Sequence, residues 1–376
     1  MKFQEVTGQQ VIINRLIRTV QDNRVSHSWL FFGEEGTGAL PLAIAFAQFI
    51  LCTNRQSTDS CGTCPGCLKT EKLIHPDLHF TFPVNKTRTV DKDTVTSDDF
   101  LNEWRDFVRE QPYGRLWSWY DFIGLENKQG IISREDSKRL AYQLNLKSFE
   151  SDYKIAIIWH PERMNDQAAN KLLKLLEEPP PLTIFILVSV NPEQLLPTLR
   201  SRCVPLKIPR IHDDEISKAI IKTHQLSAER LHEVVRISEG NYLKALELVS
   251  QPEDFHQNFE KFRDLMRLCY QKKIPELIRI SEELGTLTRE RQKAFLEYGL
   301  RSLRESVAFH FNHPDITYIT DQEMEFIPNF APFITGENIV NLVEEITKAI
   351  NDIERNANGR IVFLDMALAC ADLIRN

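Results

Sequence analysis

Two apolar runs lie close together in the chain, YKIAIIWH at 153–160 and LTIFILVSV at 182–190, separated by one helix-length segment that stops at Pro179, Pro180 and Pro181. Each run is of strand length and almost free of polar residues. Strands that read this way are covered on both faces, as in a parallel sheet flanked by helices. The intervening NDQAANKLLKLLEE is a helix ended by the prolines. The same alternation appears upstream. QQVIINRLIRTVQDN carries Val11, Ile12, Leu16 and Val20 near helical spacing, SHSWLFF is a short buried strand, and LPLAIAFAQFILC resumes a helix. Its Pro41 falls in the first turn, where amides lack helical partners anyway. ISREDSKRLAYQLNL starts a further helix at a Ser133 cap with Asp136 three residues on. After SRCVPLKIPRI the strands end, and the rest of the chain reads as helix.

A chain of 376 residues exceeds the ~250 to 300 at which a single core stops growing. The expected layout is an α/β domain at 1–210, a small helical domain at 211–250 and an all-α domain at 251–376. Residues from about 85 to 130 are less periodic and rich in charge and aromatics, and read as an irregular, partly helical insertion. With 42% hydrophobic and 26% charged residues the chain should fold throughout. A formal net charge of -7 argues against wholesale coating of nucleic acid, although Lys171, Arg200 and Lys207 leave room for a local basic face. MKFQEVTGQQ has no apolar signal core, and the longest nearly uncharged run is too short to span a bilayer and includes Gln48. A cytoplasmic protein without a membrane partner is expected.

Between the first strand and its helix lies GEEGTGAL, with Gly33, Gly36 and Gly38 spaced as in a phosphate-binding loop. In a working loop, lysine neutralises the terminal phosphates and Ser or Thr holds magnesium. Ala39 and Leu40 occupy those two positions. A plain strand-to-helix turn is the alternative reading. A second strand gives an independent check, since ATPases of this kind end one strand with carboxylates that handle magnesium and the attacking water. KIAIIWHPERM ends instead with His160 and Pro161, and Glu162 reads as an exposed helix-start glutamate. ATP hydrolysis by this chain is therefore not expected.

Four of the seven cysteines, Cys52, Cys61, Cys64 and Cys67, follow C-x8-C-x2-C-x2-C. This spacing suits one tetrahedral zinc, and four thiolates leave no open position, so the site is structural. His75 reads as an ordinary turn histidine before Pro76, with replacement of Cys52 as a ligand the alternative. Further on, LLPTLRSRC at 195–203 follows a strand and includes arginines able to reach a partner's nucleotide; on chemistry alone they also read as surface arginines.

The segment KLLKLLEEPPPLTIFILVSVNPEQLLPTLRSRC, Lys171 to Cys203, closely resembles the clamp-loader branch of the AAA+ ATPases. FQEVTGQQVIINRLIRTVQDNRVSHSWLFFGEEGTG, the cysteine cluster and HPDLHF are similar to the gamma/tau and delta-prime kinds of bacterial DNA polymerase III subunit. Of these, the delta-prime kind commonly lacks a competent ATP site, which Ala39, Leu40, His160 and Pro161 match. GNYLKAL, Gly240 to Leu246, resembles the family's sensor-2 helix, with Leu243 where ATP-binding members place arginine and Lys244 beside it. The resemblance implies an arginine finger at Arg202, positioned by Ser201 and Cys203, that completes the ATP site of a neighbour in a hetero-pentamer of gamma/tau-type and delta-type subunits. It also implies that such a ring opens a sliding clamp and places it on primed DNA, that the four cysteines are zinc ligands, and that the last domain is an oligomerising collar. The insertion at about 85–130 is longer than the resemblance implies.

Two other classes of function fit parts of the chain. One is an active AAA+ ATPase of replication or recombination with unusual residues. The other is a zinc-dependent nucleic-acid module presenting LKTEKL with Lys69 and Lys72, against which the mixed charges and the lack of interleaved aromatics argue.

Overall fold

The two apolar runs form the centre of a five-stranded parallel sheet. In this computed structural model the structure describes residues 1–125, 128–250, 252–310, 319–320 and 322–374, so two residues of the insertion (126 and 127) and 311–318 of the C-terminal segment lie outside the described residues. The strands are β1 (Ser28–Phe32), β2 (Leu78–Thr81), β3 (Lys154–Trp159), β4 (Thr183–Ser189) and β5 (Val204–Lys207), in the order β2-β3-β4-β1-β5. Register pairs Ala156 with Phe185, Leu30 with Leu187 and Trp29 with Val204.

Alternate side chains of the central strands enter two separate cores. Ile155, Ile157 and Trp159 of β3, Ile184, Ile186 and Val188 of β4, and Trp29 and Phe31 of β1 join one. Ala156, Ile158, Phe185, Leu187 and Leu30 join the other. On the first face lie helices α1 (Gln10–Gln21), α2 (Ala39–Leu51), and, after α3 (Pro65–Glu71), α4 (Leu101–Glu110) and α5 (Leu116–Phe122). The second face is covered by α6 (Arg134–Asn145), α7 (Asp166–Glu177) and the short α8 (Pro197–Arg200). The Ser133 cap of α6 is reciprocal, its Oγ accepting from the Asp136 amide while the Asp136 carboxylate accepts from the Ser133 amide at 2.8 Å. On α1 the buried stripe is Ile13, Leu16, Ile17 and Val20, whereas Val11, expected on the apolar face, is 82% exposed.

The insertion buries its aromatic residues in this unit. Trp104 and Trp119 are fully buried, Trp104 stacks on Phe82 at 4.2 Å, and both join an aromatic cluster with Phe107 and Trp159. Aromatic pairs of this kind add about 0.5–1.5 kcal/mol each beyond the area they bury. Edge strand β2, which carries no long apolar run, is held by its parallel pairing to β3.

Helices α9 (Asp213–Thr223), α10 (Ala228–Ser238), α11 (Tyr242–Ser250), α12 (Pro252–Gln271), α13 (Ile274–Gly285), α14 (Arg289–His310), α15 (Ile327–Phe330), α16 (Ile339–Glu354) and α17 (Gly359–Leu373) follow. The chain divides into two compact units, one of Met1–Leu231 with Ser238–Leu246, the other of His232–Ile237 with Glu247–Asn376. The second is all-helical, with a core drawn from α12 to α17. Among the described residues no helix is long and apolar enough to cross a membrane.

Inside the second unit a buried ion pair joins Arg301 of α14 to Glu323, with Nη1 to Oε1 at 2.5 Å and Nη2 to Oε2 at 3.1 Å. Tyr298 Oη and the Thr320 amide also donate to Glu323. Burial works to raise the Glu323 carboxyl, but Arg301 and these donors outweigh it and hold the pKa below the usual carboxylate value. Such a group adds stability above its unfolded pKa, and that contribution is lost as pH falls through the lower folded one. Glu323→Gln should therefore lower stability by about 3–5 kcal/mol at neutral pH, because it leaves Arg301 buried without its carboxylate. Urea unfolding of the full chain should show the wild-type advantage shrinking as the pH is taken into the acid range.

Candidate functional site

The glycine loop leaves the C-terminal end of β1, and parallel sheets bind ligands outside that end of their strands. Gly33 packs so tightly that an added Cβ would lie 2.5 Å from the Ile208 carbonyl oxygen. Thr37 closes the turn, its amide and Oγ1 both donating to the Glu34 carbonyl, at 3.3 and 2.7 Å. Gly36 and Gly38 have φ of +75° and +93°, values that disfavour a side chain. Ala39 and Leu40 serve the core, Leu40 being buried within the first face and Ala39 packing against it.

The chain's own residues cover the outer side of this loop. Asn241, which caps α11 by accepting from the Lys244 amide, donates from Nδ2 to the Glu35 carbonyl at 2.8 Å, and the Tyr242 amide donates to the Gly36 carbonyl at 3.2 Å. A Cβ on Gly36 would lie 1.9 Å from Asn241 Oδ1 and 3.0 Å from Leu243 Cβ. Tyr113, from the insertion, lies 3.1 Å from where a Gly38 Cβ would stand, accepts from the Thr7 amide at 2.8 Å, and meets Tyr242 edge-on at 4.9 Å.

Charge in the loop is reversed relative to a phosphate cradle. Glu34 takes two hydrogen bonds from Arg210, at 2.9 and 3.1 Å, and Arg210 also pairs with Glu239 at 3.5 Å. Glu35 pairs with Arg115 at 3.7 Å. Two carboxylates thus engage guanidinium groups in the place where a bound anion would otherwise attract them.

At the ends of β3 and β4 the expectation for Glu162 is corrected. Its side chain is only 3% exposed and accepts from Ser189 Oγ at 2.9 Å, with the His160 Nδ1 contact at 3.0 Å. Pro161 starts a short 3-10 turn that folds Glu162 back over the sheet, where its hydrogen bonds offset the cost of burial. Burial works to raise the Glu162 carboxyl, yet His160 and Ser189 hold its pKa below the usual value. His160 takes a left-handed backbone and packs against Trp159 at 4.3 Å.

Arg202 lies at the other end of the sheet. Its carbonyl accepts from Ser28 Oγ at 2.5 Å at the start of β1, and Cys203 leads directly into β5. The five residue steps from Ser28 to Gly33 span roughly 16 Å of strand, which keeps Arg202 away from the glycine loop of its own chain. The Arg202 side chain is 36% exposed, with Nη1 donating to the Thr198 carbonyl at 2.9 Å and Nη2 paired with Glu177 Oε1 at 2.6 Å. Ser201 Oγ donates to the same Thr198 carbonyl at 3.1 Å, and buried Cys203, its thiol pushed up to about 11 by burial, anchors the turn in the second core.

The four predicted thiols converge. The Sγ atoms of Cys52, Cys61, Cys64 and Cys67 all lie within 4.8 Å of one another, with Cys52–Cys61 at 3.6 Å and Cys61–Cys67 and Cys64–Cys52 both at 3.9 Å. Four sulfurs about 2.3 Å from one centre would be about 3.8 Å apart, so the group can hold a tetrahedral metal ion. Backbone amides of Cys61, Thr63, Cys64 and Cys67 donate to these sulfurs at 3.3–3.5 Å. Burial works to raise the Cys64 thiol, but the Cys67 amide and Thr53 outweigh it and lower it to about 6. His75 has another partner, its Nδ1 accepting from the Asp77 amide at 3.1 Å.

The family described as DNA polymerase III, delta subunit, matches residues 8–212, more than half of the chain. The chain belongs to that family. It is 24% identical over 352 residues to DNA polymerase III subunit delta' of Bacillus subtilis, covering 93% of this chain and 92% of that one. It is 29% identical to subunit delta' of Escherichia coli, over 50% of this chain and 44% of that protein. Similarity also extends to subunit tau/gamma of Haemophilus influenzae, 24% identical over 66% of this chain, of which the chain spans 30%.

Sequence reasoning missed Tyr113, Arg115, Arg210 and Asn241 as loop partners. Asn241 alone carried a legible sign, a Gly-Asn pair before a helix, and that sign marks a cap without naming what the cap touches. Gly36→Ala should destabilise the chain by about 1–3 kcal/mol in urea unfolding. The loss should exceed that of Gly124→Ala, where φ is +66° but nothing lies within 4 Å, and in an Asn241→Ala background Gly36→Ala should cost less than it does in the parent chain.

Proposed function

We propose that this chain is a delta-prime-type, non-hydrolysing subunit of a DNA polymerase III clamp loader, and that it supplies Arg202 to the ATP site of an adjacent gamma/tau-type subunit. Family membership and the similarity to proteins named delta' and tau/gamma support the assignment to that polymerase. The observation that carries the division of roles is the separation along the sheet. Arg202 stands at the N-terminal end of the strands, while the glycine loop stands at the C-terminal end under Asn241, Leu243 and Tyr113. A guanidinium so placed cannot serve its own loop and is exposed enough to meet another subunit's nucleotide.

In this reading the first unit keeps an AAA+ architecture without its chemistry. Ala39 and Leu40 pack the core where lysine and a magnesium-binding hydroxyl would be required. Glu34 and Glu35 engage the guanidinium groups of Arg210 and Arg115 that a phosphate would otherwise attract. Ser201 and Cys203 fix the turn that presents Arg202, whose charge offsets the negative charge that develops during phosphoryl transfer in a neighbour. The chain acts as a scaffold in a cytoplasmic hetero-pentamer with gamma/tau-type and delta-type subunits, which loads a sliding clamp onto primed DNA during replication. Residues 1–210 form the AAA+ domain, 211–250 the lid and 251–376 the collar. Cys52, Cys61, Cys64 and Cys67 hold a structural zinc that ties the end of α2 to the start of α3, the four thiolates leaving no position for a substrate.

In a complex reconstituted from this chain with gamma-type and delta-type subunits and the clamp, Arg202→Ala should leave assembly intact and lower ATPase at the affected site by up to about 10³-fold. An unchanged rate would remove Arg202 from the mechanism. Titration of the isolated chain with labelled ATP and magnesium should give neither tight binding nor turnover, and either would overturn the reading of the loop. Elemental analysis of the purified chain should find about one zinc per chain, and Cys64→Ser should reduce that content and lower the thermal midpoint.

A further inference from the structure

Arg202 is held within its own chain. Glu177, the last residue of α7, pairs with Nη2 at 2.6 Å, and the Thr198 carbonyl accepts from Nη1 at 2.9 Å. Two of the five guanidinium donors are engaged in this way. The two acceptors differ in consequence. A carbonyl can orient a guanidinium without cancelling its charge, whereas the carboxylate makes a neutral pair with it. An arginine meant to offset charge on a transferred phosphoryl group loses that ability while a carboxylate sits against it.

Both members of the pair are accessible, Arg202 36% and Glu177 48% exposed. Exposed pairs of this type contribute only ~0.2–1 kcal/mol, so the pair holds the arginine for most of the time and yields to a stronger anion. We infer that Glu177 is a latch on Arg202, one that keeps the guanidinium neutralised until a neighbour's phosphates displace the carboxylate. The inference rests on the proposed role of Arg202 and adds a residue that sets how readily the arginine is released. The turn itself is anchored independently by Ser28 Oγ and by Cys203 in the core, so loss of Glu177 frees the guanidinium without unseating its backbone.

The test compares Glu177→Gln, Arg202→Ala and the double variant in the reconstituted complex. Glutamine keeps the size of the side chain and removes its charge. Glu177→Gln should raise the ATPase of the complex about two- to fivefold at low salt, with the gain fading as ionic strength screens the pair in the parent protein. In the Arg202→Ala background the same substitution should change nothing. The stability of the isolated chain in urea should fall by no more than about 1 kcal/mol with Glu177→Gln. A fall in ATPase would overturn the latch and make Glu177 an orienting residue, and a rate unchanged at every salt concentration would overturn it as well. If Arg202→Ala has no effect, the arginine-finger reading fails first, an outcome distinct from failure of the latch alone.

Discussion

Parallel pairing of β3 with β4 and of β4 with β1 is the constraint on which the rest of the first unit depends. Parallel neighbours cannot be joined by tight turns, so each connection crosses a face and brings a helix with it. Both faces are thereby covered, and the three strands carry apolar side chains at every position between their ends. The same geometry sorts the loops. All those that follow strands emerge at one end of the sheet, and all those that precede strands lie at the other. The glycine loop and the His160–Glu162 turn fall at the first end, and the Arg202 turn, which leads into β5, falls at the second. Their separation follows from strand direction alone.

At the C-terminal end the glycine loop is a packed joint. Three contributions combine there: the cap of α11 bonded to the loop, the Tyr113–Tyr242 aromatic pair, and guanidinium groups engaged by Glu34 and Glu35. Glycine remains required at position 36 for two reasons, the left-handed backbone and the close approach of Asn241. Retained glycines are therefore no proof of retained nucleotide chemistry, since tight packing of the chain against itself makes the same demand on them.

Much of the fold was legible because its signals are local. Apolar runs marked β1, β3 and β4, prolines marked the end of α7, and the Ser133 and Asp136 pair marked the start of α6. Cysteine spacing sufficed for the four-thiol cluster because three of its members lie within seven residues. What stayed hidden is long-range. Tyr113 and Arg115 belong to a stretch without periodicity, and only folding brings them to a loop some 75 residues earlier in the chain. Glu162 looked exposed because local sequence could not reveal that Ser189, 27 residues on, would donate to it. Val11 fitted a helical stripe by spacing, yet its face turned outward once Ile13 and Ile17 had been chosen by the core.

The arginines of the first unit differ in what binds them, and that difference separates structural charge from deliverable charge. Arg210 shares two carboxylates, Glu34 in two-point contact and Glu239 behind it. Arg115 is largely buried beside Glu35, with its side chain also over Trp117. Removing Arg115 would leave Glu35 without its cation in surroundings where charge is poorly screened, whereas the Arg210–Glu34 pair is solvent-exposed and Arg210 is held by the number of its carboxylate contacts instead. Arg202 has one exposed carboxylate, at the end of a helix, and its backbone is fixed by contacts that do not involve the guanidinium. Exchange of that single partner for an external anion costs little and disturbs nothing else in the unit. Of these three arginines, Arg202 is the one with a single carboxylate partner and a backbone fixed by Ser28 and the core around Cys203, the combination that the proposed role in a neighbouring subunit would require.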